Sequence, residues 1–599
     1  MHRGPLRPTL LLLSLTLSSP LVYAQSAPSQ KSPADAIKAA DTAFRAGSAA
    51  YQRNDLRTAH TEFARVVHLA PKIAAGHTAF GTVLLAENNP KAAATELELA
   101  HKLDPSDTNA TLNLALAYTQ LRDYAKAIPL FQTADEAHVQ LTPDQTISYA
   151  TALEATSQLA VAQTQIEQAL AISPNSAALH DALGTLLAQQ ERYNEATLHF
   201  QQAIALDPSL AAAHYHLGSV SLAVNDPASS TAPLNEANRL APNNVDYLLQ
   251  LGRALRATGQ DEQSLATLRH ALQLAPNSID AKYELALSLQ ASGNPHDTLP
   301  LFEQVAAARP QDAPTLTNYA LALVQLGDAK RAILLYQRAL ALTPSSPTLH
   351  EDLGVAYLQQ ADLDHAIEQF RSGLVVDPNN PQLHYDLGLA YKLKDNVNAA
   401  IPEFEQAAKL DPSLPDPPYT LGILYMQLAR FPEAQIELER ATTLRPDHGD
   451  AWAMLGNVYK QNDQPDKAIA ALRRAIELMP NQPSPHITLA SILVRQGDTA
   501  GAAAERKIAA DLSRVAVSRQ RASFSLDSGR VLLQRGQLNE AVTQLQAAVA
   551  ADPTYAEAHA ALAEAYARQG RTADAALERQ QAQRLEQSTT KSASPSQNH

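Results

Sequence analysis

Histidine is the residue in this 599-residue chain whose spacing first suggests chemistry. His180 and His214 lie 34 residues apart, as do His350 and His384, and His77, His486 and His559 fall close to the same series. A metal would need two or three imidazoles within one coordination sphere. Equivalent positions of a 34-residue helical period are separated by a helix pair, which is too far. The expectation is that these histidines fill an aromatic packing slot, which Trp452 also occupies, and that the chain holds no metal and no cofactor. Catalytic signatures are absent: there is no GxGxxG, P-loop, HExxH or GxSxG. With no cysteine there are no disulfides, iron–sulfur clusters or thiol nucleophiles. A formal net charge of -14 argues against a nucleic-acid partner, because phosphate binding needs a basic surface. The chain is read as non-enzymatic.

The elements that position these residues follow from a strict period. Prolines recur every 34 residues from Pro174 to Pro480, and Pro71 and Pro105 repeat the spacing. Twenty-four residues before the closing proline stands Gly184, Gly218, Gly252, Gly354, Gly388, Gly422 or Gly456, replaced in two periods by Ala286 and Ala320. A glycine inside a helix costs about 1 kcal/mol against alanine, so its recurrence predicts close approach of a second helix. Leu353 and Tyr357 flank Gly354 at helical spacing, as Leu387 and Tyr391 flank Gly388. A polar break at Gln359–Asp362 precedes a second amphipathic stretch, Asp364–Phe370, which Asp377-Pro378 closes. Each period therefore encodes two helices.

This grammar resembles the tetratricopeptide repeat family. Leu-Gly-x-x-Tyr matches its first helix, Ala366 and Phe370 its second, and Pro378 its closing residue. Trp452-Ala-Met-Leu-Gly-Asn-Val-Tyr459, with Ala468 following, is the fullest match to the family's W-x-x-L-G-x-x-Y pattern. The resemblance runs from about residue 40 to 589, sixteen units. It implies an all-α, right-handed α-solenoid, a superhelix of 34-residue helix–turn–helix repeats that bind partner segments in a concave groove.

Two units depart from the period. The third, 108–142, has 35 residues and carries Val139 where the closing proline belongs. The fourteenth runs from Pro483 to about Arg521, five residues too long, and is expected to carry a lengthened second helix that perturbs stacking before Ala522. At the N-terminus, Arg3 and Arg7 precede the apolar stretch Leu10–Leu17, and Ala24-Gln25 offers a cleavage point. This reads as a secretory signal peptide, too short to span a bilayer. The expected organisation is a signal peptide at 1–24, a disordered linker at 25–39 and repeats one to thirteen at 40–482. An irregular extended repeat then occupies 483–521, C-terminal repeats with a capping helix 522–589, and a disordered tail 590–599. The mature protein is expected to be exported, to the periplasm first and to the exterior as the alternative, with no membrane-spanning segment after cleavage.

In peptide-binding members of the family, positions 2, 5, 6, 9, 12 and 13 of the first helix line the groove. Here position 5 holds Tyr215, Tyr283, Tyr385 and Tyr419; position 6 holds His216, Glu284, Asn318, Asp352 and Asp386. Arg253 and Asn457 stand at position 9, and Arg256, Lys392 and Lys460 at position 12. The tyrosines suit interface anchors, or else supply bulk between repeats. Neither the family's carboxylate clamp nor a full ladder of asparagines at position 6 is present, since only Asn113 and Asn318 qualify for the ladder. The candidate groove leans acidic, with Asp246, Asp280, Glu284, Glu351, Asp352, Asp386, Asp416 and Asp450, which favours a basic or amphipathic segment. The first reading is thus an exported scaffold for proteins or peptide segments. The alternative is a subunit of an envelope polysaccharide synthesis or export machine with polysaccharide as a further ligand, and behind it a partner-dependent piece of a glycosyltransferase-type system.

Overall fold

A computed structural model describes residues 33–592. Among them the chain forms thirty-one α-helices and no strand. The chain divides into two compact units, Met1–Asn294 and Pro295–His599. The first holds α1 Pro33–Gln52, α2 Leu56–Leu69, α3 Ala74–Ala86, α4 Pro90–Leu103, α5 Thr108–Gln120, α6 Tyr124–Glu136, α7 Pro143–Ala155, α8 Leu159–Ile172, α9 Ala177–Gln189, α10 Tyr193–Leu206, α11 Ala211–Ala223, α12 Pro227–Leu240, α13 Val245–Ala257, α14 Asp261–Leu274 and α15 Ile279–Ala291. The second holds α16 Pro295–Ala308, α17 Ala313–Gln325, α18 Ala329–Leu342, α19 Pro347–Gln359, α20 Leu363–Val376, α21 Pro381–Leu393, α22 Val397–Leu410, α23 Asp416–Gln427, α24 Phe431–Leu444, α25 Gly449–Gln461, α26 Pro465–Leu478, α27 Pro483–Arg495, α28 Thr499–Gln534, α29 Leu538–Ala551, α30 Ala556–Arg568 and α31 Thr572–Ser592. Within each unit consecutive helices pack on one another and most first helices, A, also meet the next, so each unit is an α-solenoid.

The recurrent glycine has the expected reason. A Cβ on Gly388, position 8 of α21, would lie 2.9 Å from the ring of Phe404 on α22, and one on Gly184 would lie 2.6 Å from Phe200. Phe404 and Phe200 are fully buried, as are Phe131, Phe370 and Tyr336 at the same B-helix position. Glycine lets the two helices of a hairpin close over this aromatic. In the turns between repeats, the aspartate before proline bonds two residues onward. The carboxylates of Asp207 and Asp411 accept from the backbone N–H and hydroxyl of Ser209 and Ser413, at 2.9 and 2.6 Å in both turns. These bonds hold both carboxyls below their ordinary range. Where the third unit lacks proline, Thr142 and Gln145 form a reciprocal capping box that starts α7.

The termini and the fourteenth unit differ from expectation. The signal segment 1–24 lies outside the described residues, as do residues 593–599. Residues 33–39 are helical rather than disordered, because α1 begins at Pro33, and residues 590–592 end α31. The lengthened helix of the fourteenth unit does not stop before Ala522. It continues as one 36-residue helix, α28, that contains the A helix of the fifteenth unit. No glycine or proline stands between Gly501 and Gly529 to break it. Counting α28 twice, the thirty-one helices correspond in sequence to the sixteen expected units.

Candidate functional site

The histidines fall where packing requires them. Each sits at position 4 of its A helix, and five of the seven, His77, His180, His214, His384 and His559, reach back six residues to a turn carbonyl: His77 to Pro71 at 3.0 Å, and His384 to Pro378 at 3.1 Å. The indole N–H of Trp452 donates to Pro446 in the same way at 2.9 Å. Nδ1 meets a side chain nineteen residues on, in the B helix: Glu96 for His77 and Glu403 for His384, both at 2.6 Å. In one repeat the partner is a second imidazole, His199, 3.0 Å from His180. Burial and the His180 charge hold His199 below its ordinary pKa. Among the described residues, no group of three or more His, Asp or Glu could hold a metal ion.

Position 6 of the A helix proves to be a joint between repeats. The Asn113 amide donates to Thr82 at 2.9 Å, His216 meets Asp181 at 2.8 Å, and the Thr488 hydroxyl donates to Asn457 at 3.1 Å. The strongest joint is Glu284, buried at 3% exposure, which accepts from Arg253 at 2.7 Å and Arg256 at 3.0 Å. Five of the residues expected to line a groove are therefore half-buried or buried in contacts with the adjoining repeat: Glu284, Arg253, Arg256 and Asn457, with His216 beside them. The tyrosines are half-buried too. Tyr215 stacks on Tyr247 at 4.7 Å, Tyr385 leans on Phe404 at 5.5 Å, and Tyr419 meets the His448 ring at 4.5 Å. Tyr283 and Asn318 are also half-buried and engaged. Lys392 and Lys460 are half-buried and form no ion pair among the described residues.

One part of the acidic set is different. Glu351 and Asp352, positions 5 and 6 of α19, and Asp386, position 6 of α21, meet no cation among the described residues. Asp386 is only 7% exposed, and its single hydrogen bond comes from the Gln382 amide at 3.1 Å. Burial pushes the Asp386 carboxyl up to about 7, with the Glu351 charge adding to it. Burial and Glu351 lift Asp352 to about 6, and burial raises Glu351. Two other members of the acidic set are neutralised: Glu284 by Arg253 and Arg256, and Asp416 by Arg445 at 3.1 and 3.3 Å. Position 9 beside the three carboxylates is apolar, with half-buried Val355 and Leu389. The patch can receive a positive charge on an aliphatic stem.

Family profiles described as TPR repeat match residues 184–223, 320–361, 357–395 and 529–570. Profiles described as tetratricopeptide repeat match 44–107, 78–141 and 419–483, and 245–278 and 381–414. Together they span well over half of the chain. The chain belongs to the tetratricopeptide repeat family. Among solved structures, this tetratricopeptide protein is similar to YrrB, titled a TPR protein with an unusual peptide-binding site. They are 24% identical over 31% of this chain and 95% of that one, with a TM-score of 0.28. The APC/C hetero-tetramer Cut9-Hcn1 covers 81% of this chain and 95% of its own at 16% identity and a TM-score of 0.33. MamA from Desulfovibrio magneticus RS-1 covers 28% and 96% at 25% identity and a TM-score of 0.27. No curated protein matches the chain. Repeats of this family are protein-interaction scaffolds, and no helix among the described residues is long and apolar enough to cross a membrane.

Proposed function

We propose that this tetratricopeptide protein is a non-catalytic scaffold, exported to the cell envelope, that grips a basic segment of a partner protein on the A-helix face of α19 and α21. The observation behind this reading is the uncompensated carboxylate group Glu351, Asp352 and Asp386. A buried charge without a partner is costly, and at a binding surface a ligand of opposite sign removes that cost. A lysine or arginine on an amphipathic segment would place its head on the carboxylates and its stem along Val355 and Leu389. Export rests on Arg3, Arg7, the apolar stretch Leu10–Leu17 and the small residue Ala24. A sugar polymer would need open aromatic faces, and Tyr215, Tyr385 and Tyr419 lie against their own neighbours. The test uses synthetic amphipathic peptides bearing lysine and arginine, titrated into the whole chain at pH 8. Neutralising Glu351→Gln, Asp352→Asn and Asp386→Asn together should weaken binding at least about tenfold, the worth of one desolvated charge contact. A control with Glu433→Gln, Glu477→Gln and Asp511→Asn removes the same net charge elsewhere. Equal loss in both would reduce the effect to the protein's overall charge and remove this site.

A further inference from the structure

The fused helix α28 leaves one line of apolar side chains without cover. In neighbouring A helices, position 3 faces the preceding B helix: a Cβ on Gly373 of α20 would lie 2.9 Å from Leu383 of α21. Leu349 and Leu383 at that position are 6% and 0% exposed, and Ala390 and Leu424 at position 10 are 0% and 1% exposed. In α28 the preceding B helix does not fold back over this face; it runs straight into it. Position 3 is then Phe524 and position 10 is Val531, exposed by 77% and 45%, with Val517 one heptad earlier at 48%. No residue from 510 to 521 is buried. Residues seven apart form a single line on a helix, narrow and here flanked by charge. Such a line fits a second helix, whereas a bilayer surface needs a broad apolar face.

We infer that the missing cover is the same helix of a second copy, laid antiparallel across a two-fold axis at Phe524. The sequence around Phe524 is self-complementary. Arg521 lies three residues before it and Asp527 three after it, both exposed and without an ion-pair partner among the described residues. Antiparallel pairing sets Phe524 against its mate, Val517 level with Val531 of the second copy, and Arg521 level with Asp527 of the second copy, within reach of an arginine. Parallel pairing would oppose Arg521 to Arg521 and Asp527 to Asp527. Because α28 ends at Gln534, ten residues beyond Phe524, the overlap stops short of Arg506 and Lys507, so no unpaired cations meet. The bare stretch of one copy thereby lies over the uncovered face of the other. Two-fold pairing of this kind is isologous, the commonest way a chain associates with itself. The contact is one helix wide, at the small end of specific interfaces, so the dimer depends on concentration.

Sedimentation velocity on the whole chain, from about 1 to about 200 μM as suits a small interface, tests this. The wild type should pass from monomer to dimer over that range, and Phe524→Glu should stay monomeric to at least tenfold higher concentration. Arg521→Asp and Asp527→Arg should each weaken the dimer, and the double variant R521D/D527R should restore it, because both charges reverse together. Phe524→Cys, the only cysteine in the chain, should oxidise to a covalent dimer, while Val375→Cys, on an 82% exposed site elsewhere, should not. Circular dichroism confirms that each variant keeps its helix content. A wild type that stays monomeric throughout, a dimer indifferent to Phe524→Glu, or a double variant as weak as the singles would overturn the inference.

Discussion

Replacing Asp386 by asparagine should stabilise the protein at pH 8, leave it unchanged below pH 4, and weaken binding of a basic peptide. The carboxyl is lifted from its ordinary 3.8 to about 7, chiefly by burial and then by Glu351. A tenfold change in proton affinity corresponds to about 1.4 kcal/mol, so ionising Asp386 in the folded chain costs at most about 4 kcal/mol. Relaxation and water entry reduce this, and a gain of about 2 kcal/mol for Asp386→Asn at pH 8 is the expected result. The sign follows from linkage. The folded chain holds this proton more tightly than the unfolded one, so the stability it contributes is full below about 3.8 and is lost as pH rises through about 7. Asparagine keeps an oxygen for the Gln382 amide but cannot ionise, so the variant lacks this slope. Tyr385 and Glu351 face the same group, burial raises both, and Glu351→Gln should narrow the window. Urea unfolding of wild type and variant at pH 4, 6 and 8, followed by circular dichroism and by hydrogen exchange of α21, measures the difference. A variant destabilised at pH 8, or one shifted equally at all three values, would mean that Asp386 already has its counter-charge. The reasoning for the site would then fail.

Two further outcomes test the joints. Gly388→Ala gains helix propensity of about 1 kcal/mol but drives a Cβ into the buried Phe404 ring, so overpacking should leave a net loss of about 1 kcal/mol in urea unfolding. Arg256→Met leaves the buried carboxylate of Glu284 on Arg253 alone and should cost about 3 kcal/mol, whereas adding Glu284→Gln to it should recover part of that loss.

The fold was legible because proline, glycine and apolar spacing are local signals that recur in most of the sixteen units. Gly388 announced Phe404, and Pro378 announced the end of α20. The site was less so, because a groove position says where a side chain stands and nothing about what it meets. Glu284 and Asp386 occupy the same position 6 and look alike in sequence. One is held by two arginines from α13, and the other faces no cation, since leucine and valine stand where those arginines would be: Val355 and Leu358 of α19 at positions 9 and 12. Comparing positions 9 and 12 of each unit with position 6 of the next would have separated them. The couple between position 4 and the B-helix residue nineteen later, His77 with Glu96 and His384 with Glu403, was missed by reading the histidines as aromatic bulk, and only geometry made it a bond. The fused helix was half legible. Its extra length was plain, yet the continuity of α28 lay in what the segment lacks, a glycine or proline to turn it.

The backward reach of position 4 to a turn carbonyl has a genetic consequence. The imidazole, the carbonyl it meets six residues earlier and the B-helix side chain nineteen residues later fall within about one period of each other. Gain or loss of a whole period through unequal recombination therefore carries these donors and acceptors along as a set. Copy number is free to drift without orphaning a buried group, whereas a change of a few residues must be absorbed. The five extra residues of the fourteenth unit were absorbed by straightening two helices into one.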